Sequence, residues 1–124
     1  MVIAGTIVHG KQLGRQLGYP TANLNIDNLQ GTLPSAGVYA AWAMLSDGQR
    51  YPAMVNVGYR PTVDADRHLL SVEAYLDGFA GDLYGQRLSL EIVSHIRDER
   101  RMDSLDQLKS QLAIDLDQTR NILK

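Results

Sequence analysis

The hydrophobic period of this chain changes once, at Ser104, and that change limits the folds open to it. Upstream, apolar residues fall in short runs with strand-like composition or alternation. Val2 to Val8 is rich in β-branched residues, with one weak point at Gly5. Val38 to Leu45 is a strong strand pattern. Ser46-Asp47-Gly48-Gln49 is a hairpin-type turn, and about Tyr51 to Val57 returns from it. Pro52 falls near the start of that strand, where its missing donor does least harm. From Leu69 to Leu76, Leu70, Val72, Ala74 and Leu76 share one face; Ser71, Glu73 and Tyr75 share the other. Gln86 to Ile96 alternates in the same way. Downstream, Leu105, Leu108, Leu112, Leu116, Thr119 and Leu123 form a helical stripe, and Ser104 with Gln107 has capping-box spacing. Strands followed by one helix imply a mainly β fold, a small antiparallel barrel with a C-terminal helix packed on it. The helical stripe is read as core packing.

The remaining segments read as connections. Leu24, Ile26 and Leu29 are apolar positions among the turn markers Asn25, Asp27, Asn28 and Gly31. Residues 32–37 and 64–67 read as loops, Gly58 to Thr62 ends a strand, and Asp77 to Gly85 is a turn-rich loop with three glycines. At 124 residues this is one domain, and 44% hydrophobic content fits a soluble globule. A net charge of −2 provides no global field for nucleic acid or acidic membranes, so any important cations must act locally. With no cysteines, disulfides and thiolate metal sites are excluded, which fits a reducing, cytoplasmic compartment. No run reaches transmembrane length, and the first residues do not read as a signal peptide. His9, His68 and His95 show no metal-ligand spacing.

Chemistry concentrates in Gly10 to Asn23, where three glycines four apart enclose Lys11 and Arg15 and a rigid Pro20-Thr21-Ala22-Asn23 follows. Glycines let backbone N–H groups approach an anion, and the cations fall where phosphates would sit. Pro20 fixes the path out of the loop. If the next segment is extended, Thr21 and Asn23 emerge on one face, offering oxygen ligands to a hard cation such as Mg²⁺. The loop is neither a Walker A nor a dinucleotide fingerprint, and the same spacing also suits a plain surface loop. Glu73 points away from the core on its strand. It reads as a general base or as a solvated carboxylate. The charge run Arg97-Asp98-Glu99-Arg100-Arg101 reads as a solvated face.

Six stretches in order carry a resemblance: Gly10 to Asn23, Gly37-Val38-Tyr39-Ala40, Asn56 to Thr62, Val72-Glu73, Gly81-Asp82-Leu83-Tyr84-Gly85 and Ile96-Arg97-Asp98-Glu99. Together they resemble the riboflavin kinase family, above all the kinase module of bacterial bifunctional FAD synthetases. The resemblance implies a Greek-key barrel of about six strands. It also implies transfer of phosphate from MgATP to the 5′-hydroxyl of riboflavin, giving FMN and ADP. It gives Glu73 the role of general base and makes Thr21 and Asn23 the Mg²⁺-associated pair. Gly10, Arg15, Thr21, Leu76 and Tyr84 become nucleotide contacts, and Arg97, Arg100 and Met102 flavin contacts. Two positions depart from the family pattern: Met102 stands where Phe is common, and Tyr75 where His is frequent, two residues from Glu73 on the same face.

The same family often carries an adenylyltransferase domain upstream, covalently linked. No such sequence is present here, so FMN rather than FAD is the expected product. The partners implied are the small molecules riboflavin and ATP, with no nucleic acid and no membrane. Two other readings stand beside this one. A catalytically silent module would bind flavin and nucleotide without turnover. A single-strand-binding barrel would need a basic groove with exposed aromatics, and the net charge of −2 with 6% aromatic residues argues against it.

Overall fold

The computed structural model describes residues 1–8, 18–32, 34–61 and 68–124. Strands β1 (Val2–Val8), β2 (Ala22–Gln30), β3 (Gly37–Leu45), β4 (Arg50–Pro61), β5 (His68–Leu76) and β6 (Arg87–Asp98) precede one helix, α1 (Leu105–Ile122). The strands close into a barrel in the order β1-β2-β5-β4-β3-β6, every pair antiparallel. Because β2 lies beside β5 and β3 beside β6, the chain crosses the barrel in Greek-key fashion. Closure gives every strand a neighbour on both sides, although β2 meets β5 only from Ala22 to Leu24.

The period-two pattern decides what fills the barrel. Val72, Ala74 and Leu76 of β5 point inward to meet Ile3, Ile7, Val55 and Leu90, while Ser71, Glu73 and Tyr75 remain partly exposed. Ala41, Ala43, Ala53 and Ala74 keep the interior thin enough for a six-strand barrel. Strand β3 reads as a nearly unbroken apolar run because it is covered on both sides. Tyr39 and Ala41 face the interior, and Val38 faces outward into a second cluster with Met54 and Leu116 of α1.

Three strands differ from the sequence reading, and two of them carry bulges. The segment marked by Asn25, Asp27 and Asn28 is not a series of turns but the full strand β2. Its register pairs Ala4 with Asn28 and Gly5 with Ile26, so Asp27 is an extra residue. That extra residue explains why Leu24, Ile26 and Leu29 lose strict alternation although all three pack on the core. Exposed Asp27 is gripped by both terminal nitrogens of Arg87 on β6, which lowers its pKa. In β6 the register with β3 skips Ile96 and Val93. This strand runs to Asp98, past the expected end at Ile96, and includes Arg97. Strand β4 likewise continues through Pro61 rather than ending near Val57.

Helix α1 starts at Ser104, whose hydroxyl accepts from the Gln107 backbone N–H at 3.1 Å. The Gln107 side chain reaches back to the N–H of Asp103, one residue before the cap. The helix lies on β3, β4 and β6. Leu116, Thr119 and Leu123 are buried as the stripe implies, but Leu105 is 53% exposed and lies off the packed face. At the far end, Arg120 donates two hydrogen bonds to Asp77, at 2.7 and 2.8 Å, tying the last turn of α1 to the end of β5. The Arg120 hydrogen bond holds the Asp77 carboxyl below its usual range. A carboxyl depressed by folding stabilises the protein above its unfolded pKa and loses that contribution as pH falls through the folded value. Asp77→Asn should therefore melt below wild type at pH 7. The gap should close as pH drops below about 4, the unfolded carboxyl range. Thermal melts from pH 7 to pH 3 check this; a gap that stays constant across the series excludes the ion pair as its cause.

Candidate active site

Barrel closure sets one row of residues across the outer surface. Glu73 on β5 pairs in register with Asn23 of β2 on one side and Asn56 of β4 on the other. The row continues from Asn56 to Val38 of β3 and from Val38 to Arg97 of β6. Directly paired residues on neighbouring strands project to the same face. Val72 and Ala74, which flank Glu73, are 2% and 1% exposed in the interior, so the row faces outward.

Two hollows open along this face. The larger, of about 760 Å³, is bordered by Ile7 and Val8, by the segment from Pro20 to Asn23, by Ala74 to Leu76 and by the loop from Phe79 to Tyr84. The smaller, of about 190 Å³, lies between the barrel and α1. Its walls are Tyr19, Val38, Met54, Leu108 and Leu112, and its polar groups are Thr21, Asn56, Glu73, Arg97, Glu99 and Arg100. Thr21 lines both hollows. Beside it, Tyr19 of the smaller hollow meets Tyr75 of the larger edge to face, with ring centroids 5.6 Å apart and planes at 71°. Tyr75 thus holds the entry into β2 at the partition between the hollows. Burial raises its pKa, with the charge of Asp77 adding to the effect.

The proposed residues sort onto these spaces. Thr21, Asn23, Leu76 and Tyr84 meet at the larger hollow, and Thr21, Glu73, Arg97 and Arg100 at the smaller. Leu76 is a core side chain that reaches the site at the end of β5, whereas Tyr84 is 54% exposed at the rim. Met102 sits beside Arg100, its sulfur 4.0 Å from a guanidinium nitrogen, outside the lining of the smaller hollow. Gly10 and Arg15 lie outside the described residues.

Arg97 does not belong to a solvated charge run. Its Nε donates to both carboxylate oxygens of Asp115 at 3.0 Å, and Nη2 stands 2.9 Å from Oδ2. The sequence reading passed over Asn56, which lines the smaller hollow, and Asp115, which holds Arg97. Asn56 carried a signal, a polar residue between inward-facing Val55 and Val57. Asp115 is an acid on an amphipathic helix, and only its complete burial sets it apart. Leu108 and Leu112 extend the helical stripe beyond core packing, because they wall the smaller hollow.

No cluster of three or more acidic, His or Cys side chains exists among the described residues. Thr21 and Asn23 nevertheless fit a magnesium ion that arrives with a nucleotide. Mg²⁺ takes few protein oxygens when phosphates and water supply the rest. Asn23 is a buried amide beside Thr21 on the wall of the larger hollow. Among the described residues, no helix is long and apolar enough to cross a membrane.

The closed six-strand barrel thus carries two adjoining hollows that share Thr21, with Glu73 on the wall of the smaller. The sequence model of the riboflavin kinase family matches residues 1–123, and the chain belongs to that family. It is 42% identical over 116 residues to a bifunctional riboflavin kinase/FMN adenylyltransferase of Pseudomonas fluorescens, covering 92% of this chain and 35% of that protein. It is 40% identical over 117 residues to the RNA-binding riboflavin kinase RibR of Bacillus subtilis, covering 93% of this chain and 48% of that protein. A crystal structure of riboflavin kinase from Trypanosoma brucei superposes with a TM-score of 0.71 at 26% identity, over 98% of this chain and 76% of that one. The chain therefore spans between about a third and a half of the length of these two bacterial relatives.

Proposed function

We propose that this chain transfers the γ-phosphoryl group of ATP to the ribityl 5′-hydroxyl of riboflavin, giving FMN and ADP. The observation that carries this reading is the register of Glu73 between Asn23 and Asn56, at a seam where Thr21 lines both hollows. In-line transfer needs the attacking oxygen and the γ-phosphorus to meet at a shared boundary. The smaller hollow takes the flavin: Val38, Met54, Leu108 and Leu112 offer its ring an apolar wall, and Arg97 and Arg100 offer donors. The ribityl chain then runs along the row toward Glu73, which accepts the hydroxyl proton as the phosphorus–oxygen bond forms. The larger hollow takes the nucleotide, with Leu76 and Tyr84 on its border. Thr21 and Asn23 supply neutral oxygens to Mg²⁺, which when bound with ATP neutralises charge on the phosphates. Gly10 and Arg15 are assigned to the nucleotide on the family resemblance alone, as Met102 is to the flavin. The loop from Phe79 to Tyr84 borders the nucleotide side, where it can exclude the water that competes as acceptor.

In this reading the partners are small molecules. A linked FMN adenylyltransferase domain is a proposed neighbour in the full-length protein, as in the bifunctional relatives. A nucleic-acid partner is not part of the proposal, because a net charge of −2 with 6% aromatic residues makes a poor strand-binding groove. ATP as co-substrate places the work in the cytoplasm. The test is to incubate the pure chain with riboflavin, ATP and Mg²⁺ and to separate the flavins by chromatography. FMN formation supports the proposal. Riboflavin bound without turnover replaces it with a silent binding module, and neither binding nor turnover overturns it.

A further inference from the structure

Among the described residues, Asp115 is the one fully buried acid, and the chemistry proposed above makes no use of it. It lies mid-way along α1, between Leu112 and Leu116 on the inner face. Its carboxylate accepts from Arg97 Nε on both oxygens at 3.0 Å, and Gln111 Nε2 donates to Oδ1 at 2.9 Å. Arg97 Nη1 donates in turn to the Asp98 carbonyl at 3.3 Å. The guanidinium plane is therefore fixed from two directions. Burying such a pair brings little net stability, since apolar residues of similar volume pack as well or better. A role in the site gives a reason for the charges to be there.

The location supplies one. Arg97 borders the smaller hollow, three strands along the row from Glu73, through Asn56 and Val38. Both residues line this hollow, and β4 and β3 lie between their strands along its wall, so the two charged groups border it from different strands. Leu108 and Leu112, on the same helix as Asp115, form the wall between. We infer that Asp115 is a positioning residue. It holds Arg97 against the ring end of riboflavin, so that the ribityl hydroxyl reaches Glu73 at the other end. The inference rests on the proposed flavin assignment of this hollow, and it makes α1 part of the acceptor site.

Riboflavin binding by fluorescence titration, with Mg-ADP binding and a thermal melt alongside, tests it on three proteins. Wild type should bind both ligands. Asp115→Asn should weaken riboflavin about tenfold and leave Mg-ADP within twofold, because a merely structural defect lowers the folded fraction without selecting one ligand. The double variant Arg97→Met/Asp115→Leu removes both charges at similar volume. It should melt no lower than wild type yet still bind riboflavin about tenfold more weakly. Either variant, folded and binding riboflavin within twofold of wild type, overturns the positioning role and leaves the kinase reading intact. A wild type that does not bind riboflavin overturns the flavin assignment itself, and the inference with it.

Discussion

Glu73→Gln should abolish most FMN formation while leaving ligand binding and the fold in place. Gln has the shape of Glu and keeps an oxygen acceptor, but it cannot take a proton at neutral pH. A positioned general base contributes about 10²- to 10⁴-fold, so kcat should fall by that factor. Riboflavin and Mg-ADP affinities should remain within about threefold of wild type, because Gln keeps the size of Glu and an oxygen acceptor while proton transfer matters only in the transition state. The variant should stay folded, since Glu73 is on the outward row and its inward neighbours Val72 and Ala74 are untouched. Single-turnover chromatography with binding titrations separates these quantities. A variant that makes FMN within threefold of the wild-type rate would keep the kinase and remove Glu73 as its base. A variant that loses riboflavin affinity instead would make Glu73 a binding group.

How far this site can be read from the sequence depends on which residues speak through local pattern. Strand β5 alternates without interruption, so the outward placement of Glu73 is legible from its neighbours alone. Its partners are not. Asn23 and Asn56 reach Glu73 through pairings β2–β5 and β4–β5, and the first of these joins strands that are not consecutive. Such a register follows from closure of the whole barrel and leaves no local signature. Strand β2 is obscured by its own bulge: one extra residue, Asp27, shifts the apolar positions and brings turn-type residues to the solvent side. Helix α1 is plain from its period, yet the period says only that a face is covered. It does not say that Leu108 and Leu112 border a hollow or that Asp115 belongs to the covered face. Arg97 shows the same limit from the other side. In the sequence it opens a charge run; in the fold the bulges at Val93 and Ile96 turn it toward α1 and its buried acid. Tyr75 is subtler. Its face is legible, but its contact with Tyr19 depends on how the chain enters β2.

The bulge beside Gly5 leads to the other large effect. The sequence treats Gly5 as a weak point in β1, but the structure requires it. A Cβ built there would stand 2.1 Å from the Asn25 carbonyl oxygen, 2.7 Å from its carbon and 2.9 Å from Ile26 Cα. All three are backbone atoms, so no side-chain rotation relieves the clash. Gly5 sits between β2 and β6, paired with Ile26 and with Leu88, in the strand that closes the barrel. Gly5→Ala must therefore push β1 and β2 apart at the bulge and disturb Leu88, which is buried beside it. Overpacking of this kind usually costs about 1–3 kcal/mol, and a clash on a closed backbone belongs at or above the top of that range. For a domain whose whole stability is about 5–15 kcal/mol, the melting temperature should fall by roughly 10 °C or more. The larger hollow should suffer first, since Ile7 and Val8 of β1 and Asn23 of β2 border it. Gly58→Ala is the control: its Cβ would meet only the end of the Glu99 side chain, at 3.4 Å, which can move aside. That variant should melt within a few degrees of wild type. If Gly5→Ala melts as high as Gly58→Ala, β1 and β2 do not approach as closely as the barrel requires, and the register that brings Asn23 to Glu73 loses its support.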